Sequence, residues 1–220
     1  MKLSWHTRRN HEELLLLFTG WGGDDSLFTT LNVGHRDCLI VWDYTIPEYD
    51  DWNFLAHYRS ITLLAWSFGV FVASRCLPKL PPLTRAIAVN GTLRPIDDRF
   101  GIPTAVFKAT LEHYNDANRR KFEKRAAGKM YDKLSPSIAF SRRDTSSQLQ
   151  ELRAFEIMVK DRGGDAEADR EYWTLALLSE SDRIFPVQNM RRFWREKGQA
   201  IPGDHLPDFQ KILDDYCFST

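Results

Sequence analysis

One hydroxyl interrupts an apolar run at Ala65-Trp66-Ser67-Phe68-Gly69. A serine flanked at two positions by small residues, after an apolar strand and before a helix rich in Ala, Val and Gly, describes a nucleophile elbow. Strand and helix backbones nearly touch at such a turn, and the hydroxyl stands above the carboxyl ends of the strands. Ala65 occupies the place of the first glycine of that pattern. The plainer reading of five such residues is a small side chain filling a core. A serine is a weak nucleophile unless a base takes its proton, and the base needs an acid to orient it. On this kind of scaffold the acid and then the histidine follow later strands. Asp182 comes after the run 172-YWTLALLS-179, and His205 lies in 203-GDHLPDF-209. Asp182 suits the acid role better than Glu180, and better than Asp204, whose adjacency to His205 makes a facing geometry unfavourable. His6, His11 and His35 precede the elbow, and His57 and His113 have no strand-end setting. The tetrahedral intermediate needs two N–H donors. Phe68, at the helix start with its partial positive charge, is one. Trp21, in the glycine-rich loop 18-FTGWGGDD-25, is the other. No Gly-Lys-Ser/Thr follows that loop, which sets a phosphate-binding loop aside.

These residues need a rigid platform. The runs 14-LLLLFTG-20, 38-CLIVWDY-44, 61-ITLLAW-66 and 85-RAIAVNG-91 are almost continuously apolar and end in turn-forming residues. Strands buried on both faces of a parallel sheet have this composition. The fifth strand is expected at 172–179 and a weak sixth at 199–203, while 68-FGVFVASRCLPKL-80 reads as a helix closed by Pro78. The opening residues through LLLL read as a small hairpin leading into the first buried strand. The class is therefore α/β, a mostly parallel sheet flanked by helices. From Pro95 to Gly164 the chain becomes polar and helically patterned, in 105–131 and 145–161, with a solvated loop at 161–171. The expected division is a core of 1–94 and 165–220 with a helical lid insertion at 95–164.

Composition bounds the rest. The 220 residues have 43% hydrophobic content and a net charge of +0, so no global field attracts nucleic acid or a membrane. Cys38, Cys76 and Cys217 are widely separated, which argues for reduced core thiols rather than disulfides or a zinc site. The run LLLLF is too short to span a bilayer, and the expectation is a soluble, cytoplasmic protein. Positive charge concentrates locally, at Arg119, Arg120, Lys121, Lys124, Arg125, Lys129, Lys133, Arg142 and Arg143, against Glu123 and Asp132. A solvated helix face explains this, and so does a docking patch for an acidic partner such as a carrier protein with a phosphopantetheine arm. Nucleic acid lacks support, because no suitably spaced stacking aromatics accompany the charges.

The segments FTGWGGD, VWDY, LAWSFGVFVA, AIAVNGT with PIDDRFGIP, DRIFPVQNMRRFW and DHLPDF, in that order, resemble the BioG type of pimeloyl-[acyl-carrier protein] methyl ester esterase. In this chain Asp208 stands between Pro207 and Phe209, where that family has proline and phenylalanine in succession. The resemblance implies an α/β-hydrolase fold and hydrolysis of the methyl ester of a carrier-bound pimeloyl chain in biotin synthesis, without metal or cofactor. It implies Ser67 as nucleophile, His205 as base, Asp182 as acid, and Trp21 and Phe68 as oxyanion donors. It implies an acyl carrier protein as partner, with Arg119, Arg120, Lys121, Lys124, Arg142 and Arg143 as the expected binding residues. A broader carboxylesterase or an acyl thioesterase would use the same three side chains, and a non-catalytic carrier-binding domain would need none of them.

Overall fold

The computed structural model describes residues 1–47, 49, 51–133, 140–161 and 166–218. A seven-stranded sheet forms its centre, in the order β1-β3-β2-β4-β5-β6-β7. The strands are β1 Lys2–Thr7, β2 Glu13–Phe18, β3 Asp37–Trp42, β4 Ser60–Trp66, β5 Arg85–Val89, β6 Leu175–Ser179 and β7 Gly198–Ile201. All neighbours are parallel except β1 with β3. The continuously apolar runs became β2 to β6, because parallel strands carry helices on both faces and have no wet side. This is the α/β-hydrolase arrangement.

The amino-terminal hairpin did not form. β1 and β2 are consecutive but do not pair; β1 lies antiparallel on β3. The two edges of β2 are already taken by β3 and β4. Asp37 at the start of β3 fixes the intervening turn. Its carboxylate accepts the Arg9 N–H at 2.8 Å, the His11 N–H at 3.4 Å and the Tyr58 hydroxyl at 2.8 Å. Burial pushes the Asp37 carboxyl upward, but these donors outweigh it and hold it below the ordinary range.

Helix α1, Phe68–Cys76, starts directly from β4 and ends before Pro78, which sits in a following 3-10 turn. Helices α2 Thr104–His113, α3 Asp116–Ala127 and α4 Thr145–Lys160 follow β5. The helical run expected from 105 to 131 is broken at Tyr114, whose backbone is extended; Asn115 then caps α3 by accepting the N–H groups of Ala117 and Asn118. Asp144 caps α4 in the same way through Ser147 N–H. The loop expected at 161–171 contains, among the described residues, the helical turn α5 Ala166–Asp169 followed by a 3-10 turn at Arg170–Tyr172; residues 162–165, and with them the expected boundary at 164, lie outside the described residues. Helices α6 Val187–Trp194 and α7 Phe209–Ile212 complete the chain, and Asp208 caps α7 through Lys211 N–H. Among the described residues no helix is long and apolar enough to cross a membrane.

Candidate active site

The carboxyl ends of β4, β6 and β7 bring three sequence-distant side chains together. Ser67 follows β4 with φ 59° and ψ −129°, a conformation an L-residue adopts only under constraint. The constraint is visible on both sides. The Ser67 N–H donates to the Val89 carbonyl at 2.8 Å, and its own carbonyl accepts from Val70 N–H at 3.1 Å. A Cβ at Gly69 would run into the Thr19 carbonyl oxygen, and one at Gly91 into the Ser67 carbonyl oxygen. The glycine two places after the serine is thus required by the contact between α1 and the loop after β2.

His205 Nε2 lies 3.0 Å from Ser67 Oγ, and His205 Nδ1 lies 2.8 Å from Asp182 Oδ2. A carboxylate can only accept, so Nδ1 carries the proton and Nε2 is free to take one from Ser67. The Asp182 Oδ1 atom accepts the N–H groups of Ile184 at 2.7 Å and Phe185 at 2.9 Å. That leaves the other oxygen aimed at the imidazole. The trio is almost wholly withdrawn from solvent: Ser67 is 4% exposed and His205 1%. Phe185 stacks on the imidazole at an interplanar angle of 9°, and Trp66 covers another side.

The alternatives for the acid are elsewhere. Glu180 is exposed and faces Arg191. Asp204 points away from its neighbour His205 and accepts the Lys129 N–H at 3.0 Å. Leu206 N–H donates to the Ala126 carbonyl at 2.8 Å, so the end of α3 grips the histidine loop on both sides.

Asn90 was not singled out from sequence. It is buried at the end of β5, with φ 49°. Its Nδ2 donates to Ser179 Oγ and to the His205 carbonyl, both at 2.8 Å, while its Oδ1 accepts Ser179 N–H at 2.8 Å. The Trp66 indole N–H donates to the same His205 carbonyl at 2.8 Å. Asn90 therefore ties the end of β6 to the loop that bears His205. Its traces in the sequence were its place as a polar residue ending an apolar strand, directly before glycine, and its membership of the segment AIAVNGT.

The expected oxyanion donors flank Ser67 as required by the topology. Phe68 is the first residue of α1, and Trp21 lies in the loop after β2. That loop approaches the elbow closely: a Cβ on Gly20 would stand 3.1 Å from the Ser67 Cβ. Over the serine is a narrow cavity of about 40 Å³ lined mainly by aromatic and aliphatic groups, including Trp21, Trp66, Phe68, Phe107, Phe140 and Leu152. A wider groove of about 600 Å³ runs between α2 and α3 and shares Val106, Thr110, Phe122 and Arg125 with it.

The basic run divides. Arg120, Lys121, Lys124 and Arg142 are exposed. Arg143 is not a surface residue: its guanidinium is buried and pairs with Glu151 at 2.7 Å and Asp43 at 3.1 Å. Arg119 is also largely turned inward, bonding Glu123 and the carbonyls of Arg143 and Ser141. The expectation that these two form an external patch is corrected. Buried carboxylates need a counter-charge, and an irregular backbone segment needs donors for its carbonyls. Glu151 itself is fully enclosed, and burial, opposed by Arg143, raises its carboxyl above the usual range.

Residues 1–211 match the family described as pimeloyl-ACP methyl esterase BioG. A Bacteroides fragilis protein named malonyl-[acyl-carrier protein] O-methyltransferase is 35% identical over 92% of this chain, but the chain spans only 41% of that protein. An uncharacterized Haemophilus influenzae protein is 40% identical over 88% of each chain. The crystal structure of BioG from Haemophilus influenzae superimposes with a TM-score of 0.81 at 36% identity, covering 93% of this chain and 94% of the other.

Proposed function

The chain belongs to the BioG family of pimeloyl-ACP methyl esterases, and from that premise we propose that it is a serine esterase acting through Ser67, His205 and Asp182. The observation that carries the reading is the continuous Ser67–His205–Asp182 relay, 3.0 Å and 2.8 Å long, at the floor of an apolar cavity. His205 takes the Ser67 proton as the oxygen attacks the ester carbonyl. Asp182 keeps the imidazole in the productive tautomer and stabilises its cation. The N–H groups of Phe68 and Trp21 receive the oxyanion. Methanol leaves with a proton from His205, and water then repeats the sequence on the acyl-enzyme, releasing a carboxylic acid and restoring Ser67.

The proposed substrate is the methyl ester of pimeloyl-carrier protein. This substrate has a thioester at its other end that the same nucleophile could attack. The cavity geometry supports discrimination: the space over Ser67 is narrow and adjoins the α2–α3 groove across the shared residues Val106, Thr110, Phe122 and Arg125, and Lys121 forms part of the groove wall. A methylene chain lying from the groove to Ser67 presents the distal ester and leaves the thioester outside. The carrier then rests on the exposed face that bears Arg120, Lys121 and Lys124. The activity in the name of the Bacteroides fragilis relative forms a methyl ester on a carrier-bound acid; the reaction proposed here removes one.

Intact-mass spectrometry of methyl-pimeloyl carrier protein after brief exposure to the enzyme tests this. Loss of the mass of one methylene group, absent with Ser67→Ala, is the expected result. Loss of the whole acyl group would make the protein a thioesterase.

A further inference from the structure

An oxyanion hole works only if its donors are held still before charge develops. The strand ladder does not by itself accomplish this for Trp21. β2 ends at Phe18, and the last anchor to β3 is Thr19 N–H on the Val41 carbonyl at 3.0 Å. Beyond it the chain reads Gly20-Trp21-Gly22-Gly23, with Gly22 at φ +72°. Such a sequence has many backbone conformations available.

Gly23 N–H on the Gly20 carbonyl at 3.1 Å closes the turn on itself, and the restraint that fixes the turn against the rest of the fold comes from α4. Gly22 N–H donates to Glu151 Oε2 at 2.8 Å, and the Gly22 carbonyl accepts from Gln148 Nε2 at 2.9 Å. The Trp21 indole N–H donates to the Gln148 backbone carbonyl at 2.8 Å. Glu151 Oε1 accepts Tyr44 N–H at 2.7 Å, so one carboxylate joins the loop after β2 to the loop after β3. Arg143 balances its charge at 2.7 Å, and Tyr114 hydroxyl holds Gln148 Oε1 at 2.6 Å. We infer that Glu151 and Gln148 are positioning residues for the oxyanion hole, so that α4, which arises from the helical segment after β5, is part of the transition-state binding machinery as well as cover for the pocket.

A buried ion pair is poor evidence of a stabilising role, because apolar replacements of similar volume often match it. Here every Glu151 acceptor site in use meets a backbone N–H of a strand-end loop or the guanidinium that neutralises it. That pattern fixes backbone orientation, which an apolar side chain cannot do. The inference rests on the serine-esterase reading.

Two variants test it, Glu151→Gln and Gln148→Met, the second kept in case the first does not fold. Both are assayed on methyl butanoate beside wild type. Binding of 1,1,1-trifluoroheptan-2-one, whose Ser67 adduct carries an oxyanion, is measured in parallel. The expected result is a kcat reduced roughly 10²-fold with KM within about threefold, and ketone affinity falling in step with kcat/KM. A folded variant with near-normal kcat and ketone affinity overturns the inference, as does a loss confined to KM. Fluorophosphonate labelling of wild-type Ser67 separates the two levels. An active, labelled wild type with unaffected variants defeats this inference alone, whereas an inert, unlabelled wild type defeats the esterase reading and the inference with it.

Discussion

The strand-end cluster and the helical segment after β5 hold their polar groups by different means. At the strand ends, Ser67 and Asp182 are oriented by main chain, through the Val89 carbonyl on Ser67 N–H and the Ile184 and Phe185 N–H groups on Asp182, and His205 is held by Leu206 N–H on α3 with two side chains, Asn90 and Trp66, on its carbonyl. In the helical segment the restraints are side chains reaching across space, with Arg143, Glu151, Gln148 and Tyr114 forming one buried network. Main-chain restraint follows from topology and tolerates neighbouring change. A side-chain network depends on each member, since removing one leaves a buried partner unsatisfied.

That contrast is testable, beginning with the largest effect. Asp182→Asn should leave the fold intact and lower kcat about 10⁴-fold, the size found when an equivalent acid is replaced in serine hydrolases. Circular dichroism and steady-state assay on a small ester check it, and a near-normal kcat would place the acid elsewhere. Within the basic run, Arg143→Met should destabilise by about 3–5 kcal/mol in urea unfolding, because it strands the fully enclosed Glu151 without its counter-charge, while Asp43 keeps Lys2. Arg120→Glu should change stability by no more than about 0.5 kcal/mol. Its expected effect is a raised KM for carrier-bound ester with methyl butanoate unaffected. Equal destabilisation by the two substitutions would erase the distinction between network and surface. The smallest effect concerns Asp37. Its carboxyl is held below the ordinary value of 3.8 in the folded protein, so its contribution is full above that value and lost as pH falls through the lower folded one. Asp37→Asn should therefore flatten the acid limb of the stability profile, read as melting temperature against pH.

The readable parts of the chain were those where burial constrained composition. Parallel strands admit few polar residues, which made β2 to β6 visible and located Ser67 and Asp182 at their ends, with His205 after the weaker run that became β7. The amino-terminal segment misled because β1 is an ordinary edge strand whose partner is chosen by which edges remain free. Glu151 left a faint trace: Gln148, Glu151, Leu152 and Phe155 share the buried face of α4 at helical spacing. A carboxylate and an amide on that face signal an internal contact, but the pattern does not say with what.

The sequence by itself determined the strand platform, the strand-to-helix turn at Ser67 and the strand-end places of Asp182 and His205. Each of these rests on local periodicity or on a residue type that its backbone position requires. Only the tertiary structure decided which arginines face solvent, that Asn90 links the end of β6 to the loop bearing His205, and that α4 grips the Trp21–Gly22 turn. The links made by Asn90 and by α4 depend on groups far apart in the chain meeting in space, as Gly22 and Glu151 do at 129 positions, and periodicity along the chain carries no record of such pairings.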